Sequence, residues 1–143
     1  MIITKETDYA LRILRVLLDG EKHSVAEMSE TELIPTQFAY QILRKLSAGN
    51  LVQVSRGALG GCALSCDLDV TSLYDLMGVM GERGVLCACM EPGYECRWQD
   101  EHGRCAIHCQ LTALQRKQDE AFRAVSLRRL LTGKSDPQDT SEL

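Results

Sequence analysis

The segment SVAEMSETELIPTQFAYQILRKLSAGNLVQVSRGALGG, residues 24–61, decides the fold. Ser24 and Glu27 stand three apart, as in a capping box, where each side chain satisfies an orphan amide at the other residue. They open a short helix that ends near Glu32. Pro35 suits the first turn of the next helix, because its missing N–H costs nothing there. Ala39, Ile42, Leu43 and Leu46 give that helix one apolar face, and Gly49-Asn50 ends it. Leu51 to Ser55 alternates like a half-buried strand. Gly57 to Gly61 turns the chain, and Cys62 to Ser65 returns beside it.

Upstream, residues 4–19 read as an amphipathic helix, with Ala10, Ile13, Leu14 and Leu17 on one face and Asp19-Gly20 as the stop. Three helices followed by a glycine-rich hairpin is the order of a winged helix-turn-helix. Downstream, Ser72-Leu73-Tyr74-Asp75 is a second capping box and starts a helix that turns Leu73, Leu76, Met77 and Met80 inward. Residues 84–104 show no usable periodicity, and Pro92, Gly93 and Gly103 mark them as a long loop. From Ala106 to Leu131 a helical pattern carries Leu111, Leu114, Ala121, Val125 and Leu130, a span of about 39 Å at 1.5 Å per residue. Such a helix outruns the core of a small domain and is expected to dimerise; folding back on its own wing domain is the alternative. The fold class is mainly α. Its expected parts are a winged helix-turn-helix over 1–82, a cysteine-rich loop over 83–105, a dimerisation helix over 106–132 and a flexible tail over 133–143.

Composition narrows the function. The chain has 143 residues, 45% hydrophobic and 25% charged, an ordinary globular balance. Aromatics are only 5%, so the core rests on aliphatic side chains, which favours helices over a β-sandwich. The net charge of −4 is unevenly placed. Residues 1–60 hold seven Lys/Arg and seven Asp/Glu, whereas residues 61–110 hold three and eight. The N-terminal part is thus free to present a local basic face. With neither a signal peptide nor an apolar run of membrane-spanning length, the chain is expected to be cytoplasmic, without a membrane partner. In that reducing setting seven cysteines, Cys62, Cys66, Cys87, Cys89, Cys96, Cys105 and Cys109, point to metal or redox chemistry rather than a disulfide framework.

Two constellations carry the chemistry. The second helix of a helix-turn-helix enters the major groove by its N-terminal side chains, here Pro35, Thr36, Gln37, Tyr40 and Gln41. Glutamine can pair bidentately with adenine, and Arg44 and Lys45, one turn on, suit phosphates. Arg56-Gly57 at the hairpin tip suits a narrow minor groove. The second constellation is Cys89, Cys96 and Cys105, with His108 on the same side of a helical first turn as Cys105. Thiolates and imidazole suit iron–sulfur clusters and zinc. No Cys-x-x-Cys pair occurs, so a zinc ribbon is disfavoured and zinc is the lesser alternative. Cys62 and Cys66, in the wing hairpin, read as small buried hydrophobes or inert surface thiols. An enzyme is not expected: Cys87-Ala-Cys89 lacks the βαβ setting of a thiol oxidoreductase, and Glu91 and Glu95 look like solvated loop charges.

The opening from Met1 to Arg12, which contains Thr7-Asp-Tyr-Ala-Leu-Arg12, the wing Arg56-Gly-Ala-Leu-Gly-Gly61 and the three-cysteine loop resemble the IscR/NsrR/RirA-type transcriptional regulators of the Rrf family over roughly residues 1–132. The resemblance implies a homodimer that binds a partly palindromic double-stranded DNA operator, most often as a repressor, and has no small-molecule substrate. It also implies a [2Fe-2S] or [4Fe-4S] cluster near the start of the long helix, whose loss, oxidation or nitrosylation alters DNA affinity. The fourth ligand in such proteins is a histidine three residues after the last cysteine or an aspartate of the other subunit. His108 matches the first and Asp8 of the partner subunit the second. Cys87 is an alternative to Cys89, and Cys109 is an additional thiol. The sequence departs from the family in its cysteine spacing, and in having Ala58-Leu59 and Cys62 where Pro-Gly and an aromatic are expected. A winged-helix regulator with zinc or a thiol/disulfide switch remains the alternative function.

Overall fold

A computed structural model describes residues 2–134. Helix α1, Lys5–Val16, is capped by Thr4, whose hydroxyl accepts from the Glu6 amide at 3.2 Å. A 3-10 turn, Leu17–Asp19, follows and Gly20 closes it. Helix α2, Val25–Glu32, opens on the expected capping box: the Glu27 amide donates to Ser24 Oγ, and the Ser24 amide to Glu27 Oε2, both at 3.2 Å. Helix α3 runs Thr36–Ala48. The turn between α2 and α3 is made by Leu33 in the left-handed region (φ 54°), its amide returning to Ser29, with Pro35 as the helix cap.

Strands β1, Val52–Ser55, and β2, Gly61–Leu64, pair antiparallel in the register Val52 to Leu64 and Val54 to Cys62. His23 adds a bridge at the base of this wing. Its amide donates to the Cys62 carbonyl at 3.0 Å, and the Cys62 amide donates back at 2.8 Å. Helix α4, Leu73–Met80, again opens on a reciprocal cap, Ser72 with Asp75. The core lies where these elements meet: Ile13, Leu14 and Leu17 from α1 and its extension, Met28, Ile42, Leu46, Leu68 and Leu76 are all fully buried.

Beyond α4 the structure corrects two expectations. The long loop is not uniformly irregular. It holds a 3-10 turn, Ala88–Met90, and a short helix α5, Arg97–His102, on which Arg97 pairs with Glu101 one turn later at 2.9 Å. The 26-residue helical pattern is also not one helix. Helix α6, Ala106–Arg123, stops, and Ser126 caps a new helix α7, Leu127–Thr132, by accepting from the Arg129 amide. The break has a packing cause. The Leu127 amide donates to Thr71, the Leu73 amide to Val125 and the Arg128 amide to Leu68, and the Leu127 side chain enters the core fully buried. Helix α7 therefore packs on the winged-helix domain, while α6 lies along α4. No residue of α6 is buried, and Ile107 and Leu114 are 71% and 54% exposed. Gly133 closes α7 in the left-handed region. The remainder of the expected tail, 135–143, lies outside the described residues.

Candidate functional site

Helix α3 buries Ala39, Ile42, Leu43 and Leu46, and that choice of inner face turns Thr36, Gln37, Tyr40, Gln41 and Arg44 outward. Pro35 is exposed too and offers no side-chain cap. Among the described residues no side chain accepts from the Thr36 and Gln37 amides, while the Phe38 and Ala39 amides return to the Pro35 carbonyl at 2.9 and 3.1 Å. Arg44 is exposed and forms no ion pair among the described residues. Lys45 is different. One residue on, it points about 100° away around the helix, pairs with Glu6 on α1 and reaches the Met80 carbonyl at 3.5 Å. Its charge is spent on joining α3 to α1 and α4. Between α3 and the wing, Tyr40, Arg44, Val54 and Cys62 help line a groove of about 500 Å³.

The wing tip presents Arg56, exposed and unpaired among the described residues. Two glycines shape the turn. Gly57 has φ +103°, a conformation disfavoured for any side-chain-bearing residue, and a Cβ on Gly60 would stand 2.5 Å from the Ser55 carbonyl oxygen. The Gly60 amide closes the turn on Gly57 at 2.9 Å.

The cysteine site is built at the start of α6. Cys105 is the N-cap of α6, its sulfur accepting from the His108 amide at 3.5 Å, and Cys96 is the N-cap of α5. The 3-10 turn brings Cys89 Sγ to 3.5 Å from His108 Nδ1 and 3.5 Å from Cys87 Sγ. The Cys89 amide and thiol both donate to Cys87 and push its thiol down, whereas Cys89 is pushed up, first by that same hydrogen bond and then by the charges of Cys87, Cys105 and Cys96. Cys87 and His108 both contact Cys89, His108 also contacts Cys105, and Cys96 lies near enough for its charge to act on Cys89; all five are half-buried. Among the described residues no three His, Cys, Asp or Glu side chains converge tightly enough to hold a single ion. The donor set of soft thiolates and an imidazole, beside a helix N-terminus, nevertheless has the chemistry an iron–sulfur group requires. Cys109 lies one turn further, accepting from Arg104 Nε at 3.1 Å.

Asp8 is not part of this neighbourhood within the protomer. It pairs with Arg12 at 2.9 Å and lines a cleft between α1 and α7 with Leu130 and Leu131. Cys62 is buried and Cys66 half-buried, and burial pushes both thiols up, so they are poor ligands and nucleophiles.

Sequence reasoning missed the residues that tie the two regions together. The Glu82 carboxylate, at the start of the cysteine loop, accepts from the hydroxyls of Thr4, the cap of α1, and Thr7, on α1, and from the Thr4 amide at 3.4 Å. Gln115 on α6 accepts from the Leu86 amide at 2.8 Å. Arg83 and Arg123 stack on the Tyr74 ring at 4.1 and 3.8 Å. Polar side chains of this kind carry no periodic signal, and only tertiary contact reveals them.

Comparison with known proteins agrees with this architecture. Among solved structures, T. potens IscR superposes with a TM-score of 0.67 at 15% identity, covering 98% of this chain and 93% of that one. CymR, the global cysteine regulator of B. subtilis, superposes at 0.65 with 18% identity, covering 93% and 98%. At these identities the likeness shows the fold. Protein aau3 of Rhizobium meliloti (strain 1021) is 31% identical over 125 residues, 85% of this chain and 77% of that protein. A family model described as Rrf2, iron-dependent transcriptional regulator, matches residues 3–133. The chain therefore belongs to the Rrf2 family, whose members are DNA-binding transcriptional regulators rather than enzymes.

Proposed function

We propose that this regulator is a cytoplasmic homodimeric repressor whose operator affinity is set by an iron–sulfur cluster held by Cys89, Cys96, Cys105 and His108. The observation that carries the reading is the convergence of Cys89 on His108 at the N-terminus of α6, with Cys105 as its cap. The family's description as iron-dependent supports iron over other metals. The cluster supplies a group whose charge and integrity respond to iron supply, oxidants and nitric oxide. The chain's own residues hold it at a helix start, where thiolates are favoured, and leave α6 to bear on a second copy through Ile107 and Leu114. Asp8 of the partner subunit is an alternative fourth ligand, and Cys87 an alternative to Cys89. DNA contacts fall to Pro35, Thr36, Gln37, Tyr40, Gln41 and Arg44 on α3 and to Arg56 and Gly57 on the wing. Lys45 serves better as a brace for α3 than as a phosphate contact.

A route for coupling runs from the loop through Glu82 to Thr4, the cap of α1, and Thr7, on α1, and from Glu6 to Lys45 on α3. Couplings between two sites of this kind are typically about 1–3 kcal/mol, a change in operator affinity of roughly 5–150-fold. A thiol or zinc switch is the second reading. It draws on the 3.5 Å approach of Cys87 and Cys89 and on the likeness to a cysteine regulator. The deciding experiment purifies the protein without oxygen, records its visible spectrum with iron and sulfide counts, and measures DNA affinity before and after stripping. Brown protein with matched iron and sulfide and a shifted affinity supports the cluster. Equal affinities sink the sensing reading, and colourless protein that resists reconstitution moves the case to zinc or thiols.

A further inference from the structure

The wing tip has a second feature that the charge of Arg56 does not explain. Leu59 is 90% exposed, more than any other large hydrophobic side chain among the described residues. Single exposed leucines are ordinary on protein surfaces, but this one sits on an unusually slender support. Between the last strand pair, Ser55 and Gly61, the turn consists of Arg56, Gly57, Ala58, Leu59 and Gly60. Only Arg56 and Leu59 carry more than a methyl group. The tip is also held firmly: the Gly60 amide bonds to Gly57 at 2.9 Å, the Ser55 hydroxyl to the Gly61 carbonyl at 3.2 Å, and the strand base to His23. A hairpin this thin fits a groove about 6 Å wide, which excludes bulkier elements.

We propose that Leu59 is an apolar wedge: with Arg56 held in the minor groove of the operator, the Leu59 side chain inserts at a base step, unstacks it in part and bends the duplex. The inference rests on the reading that the wing enters DNA. The physics is that of minor-groove binders, which push leucine, isoleucine, methionine or phenylalanine between base pairs and bend the duplex towards the major groove. Burying Leu59 against base faces offsets part of the unstacking cost, and the rigid turn presents it without further ordering. The bent duplex would then bring more backbone towards the exposed Arg44 on α3. Unstacking is easiest at pyrimidine–purine steps, so Leu59 would favour duplexes with TA or CA/TG at that position without hydrogen-bonding any base. The ligand class is a deformable, A·T-containing duplex, recognised partly through its flexibility.

The test uses the full-length protein and a duplex selected by it from a random-sequence library. Donor and acceptor dyes at the duplex ends read bending, and 2-aminopurine at the selected flexible step reads unstacking. Wild-type protein is expected to shorten the end-to-end distance and raise 2-aminopurine fluorescence. Leu59→Ala, whose far-UV spectrum should be unchanged because the side chain touches so little, is expected to lose both signals. It should also lose its preference for flexible over rigid steps, with affinity for a rigid duplex within a few-fold of wild type. Leu59→Met is expected to restore the signals. A Leu59→Ala protein that bends and brightens the duplex like wild type overturns the wedge, as does wild-type binding without either signal. Arg56→Ala separates the two layers. If it leaves affinity and salt dependence unchanged, the wing does not enter DNA and the underlying reading fails. If it weakens binding while Leu59→Ala changes nothing, only the wedge fails.

Discussion

Removing the Glu82 carboxylate should expose how firmly the cysteine loop is tied to the DNA-binding helices. Glu82 accepts from the hydroxyls of Thr4 and Thr7 and, more weakly, from the Thr4 amide at 3.4 Å. Thr7 is fully buried, so its hydroxyl has no water to turn to when Glu82 is truncated. A hydrogen bond to a charged acceptor is worth about 1.5–3 kcal/mol, and an orphaned buried donor costs about 1–3 kcal/mol. Because Glu82 is itself half-exposed, the lower half of these ranges applies, and Glu82→Ala is expected to destabilise the protein by about 1–2 kcal/mol. Thr7→Val removes the donor while keeping the shape of the side chain, and combining the two closes a double-mutant cycle. Urea unfolding followed by far-UV circular dichroism should show a coupling of about 1 kcal/mol or more between the two sites, since residues in one hydrogen-bond network are not additive. In Glu82→Ala, operator affinity should also respond less to the state of the cysteine loop than in wild type. Strict additivity of the two substitutions would refute the latch, and an unchanged affinity response would refute its role as the coupling route.

Leu127→Ala should cost about 2–5 kcal/mol, as truncating a fully buried leucine does, because α7 completes the winged-helix core. The same substitution at exposed Leu114 should cost the fold far less, and on the proposed homodimer reading it should weaken self-association, as sedimentation would show. Gly60→Ala should distort the hairpin, whose Ser55 oxygen has no room for a Cβ, and reduce DNA affinity with little loss of helical signal. The pH dependence has a definite sign at His23. The hydrogen bond to Asp19, at 2.8 Å, holds its imidazole above the usual value of 6.5, with help from the charges of Asp19 and Glu27 and against partial burial. Its stabilising share is therefore complete below pH 6.5 and is lost as pH rises through the raised folded-state value. Asp19→Asn should bring the His23 midpoint back towards 6.5 in an NMR titration and flatten that stretch of the stability profile. An unmoved midpoint would show that Asp19 is not the cause.

Local order was legible wherever a short-range rule applied. Ser24 with Glu27 and Ser72 with Asp75 form their capping boxes as read, because a cap is decided by side chains three residues apart. The periodic faces of α1, α3 and α4, and the Gly-rich turn with its two strands, follow from the same locality. The outward face of α3 could be named in advance because burying Ala39, Ile42, Leu43 and Leu46 leaves only one face outward. Clustering of the cysteines was enough to single out Cys89, Cys96, Cys105 and His108 as candidates. It was not enough to choose between Cys87 and Cys89, which the fold brings within 3.5 Å of one another.

Tertiary structure decided the rest. The chain from Ala106 to Leu131 has an unbroken helical pattern, yet it breaks before Ser126 because Leu127 gains more from a place in the core than from one more turn of exposed helix. Helix α5 forms within a stretch whose glycines and proline read as loop. Arg44 and Lys45 look alike as neighbouring cations, but the 100° step between them leaves one facing outward and the other bound to Glu6. Glu82 gave no signal at all, since its partners lie 75 and 78 positions away. Backbone propensity and side-chain periodicity act over a few residues and are written in the sequence. The choice of partners across the chain is made by which surfaces the folded core brings together.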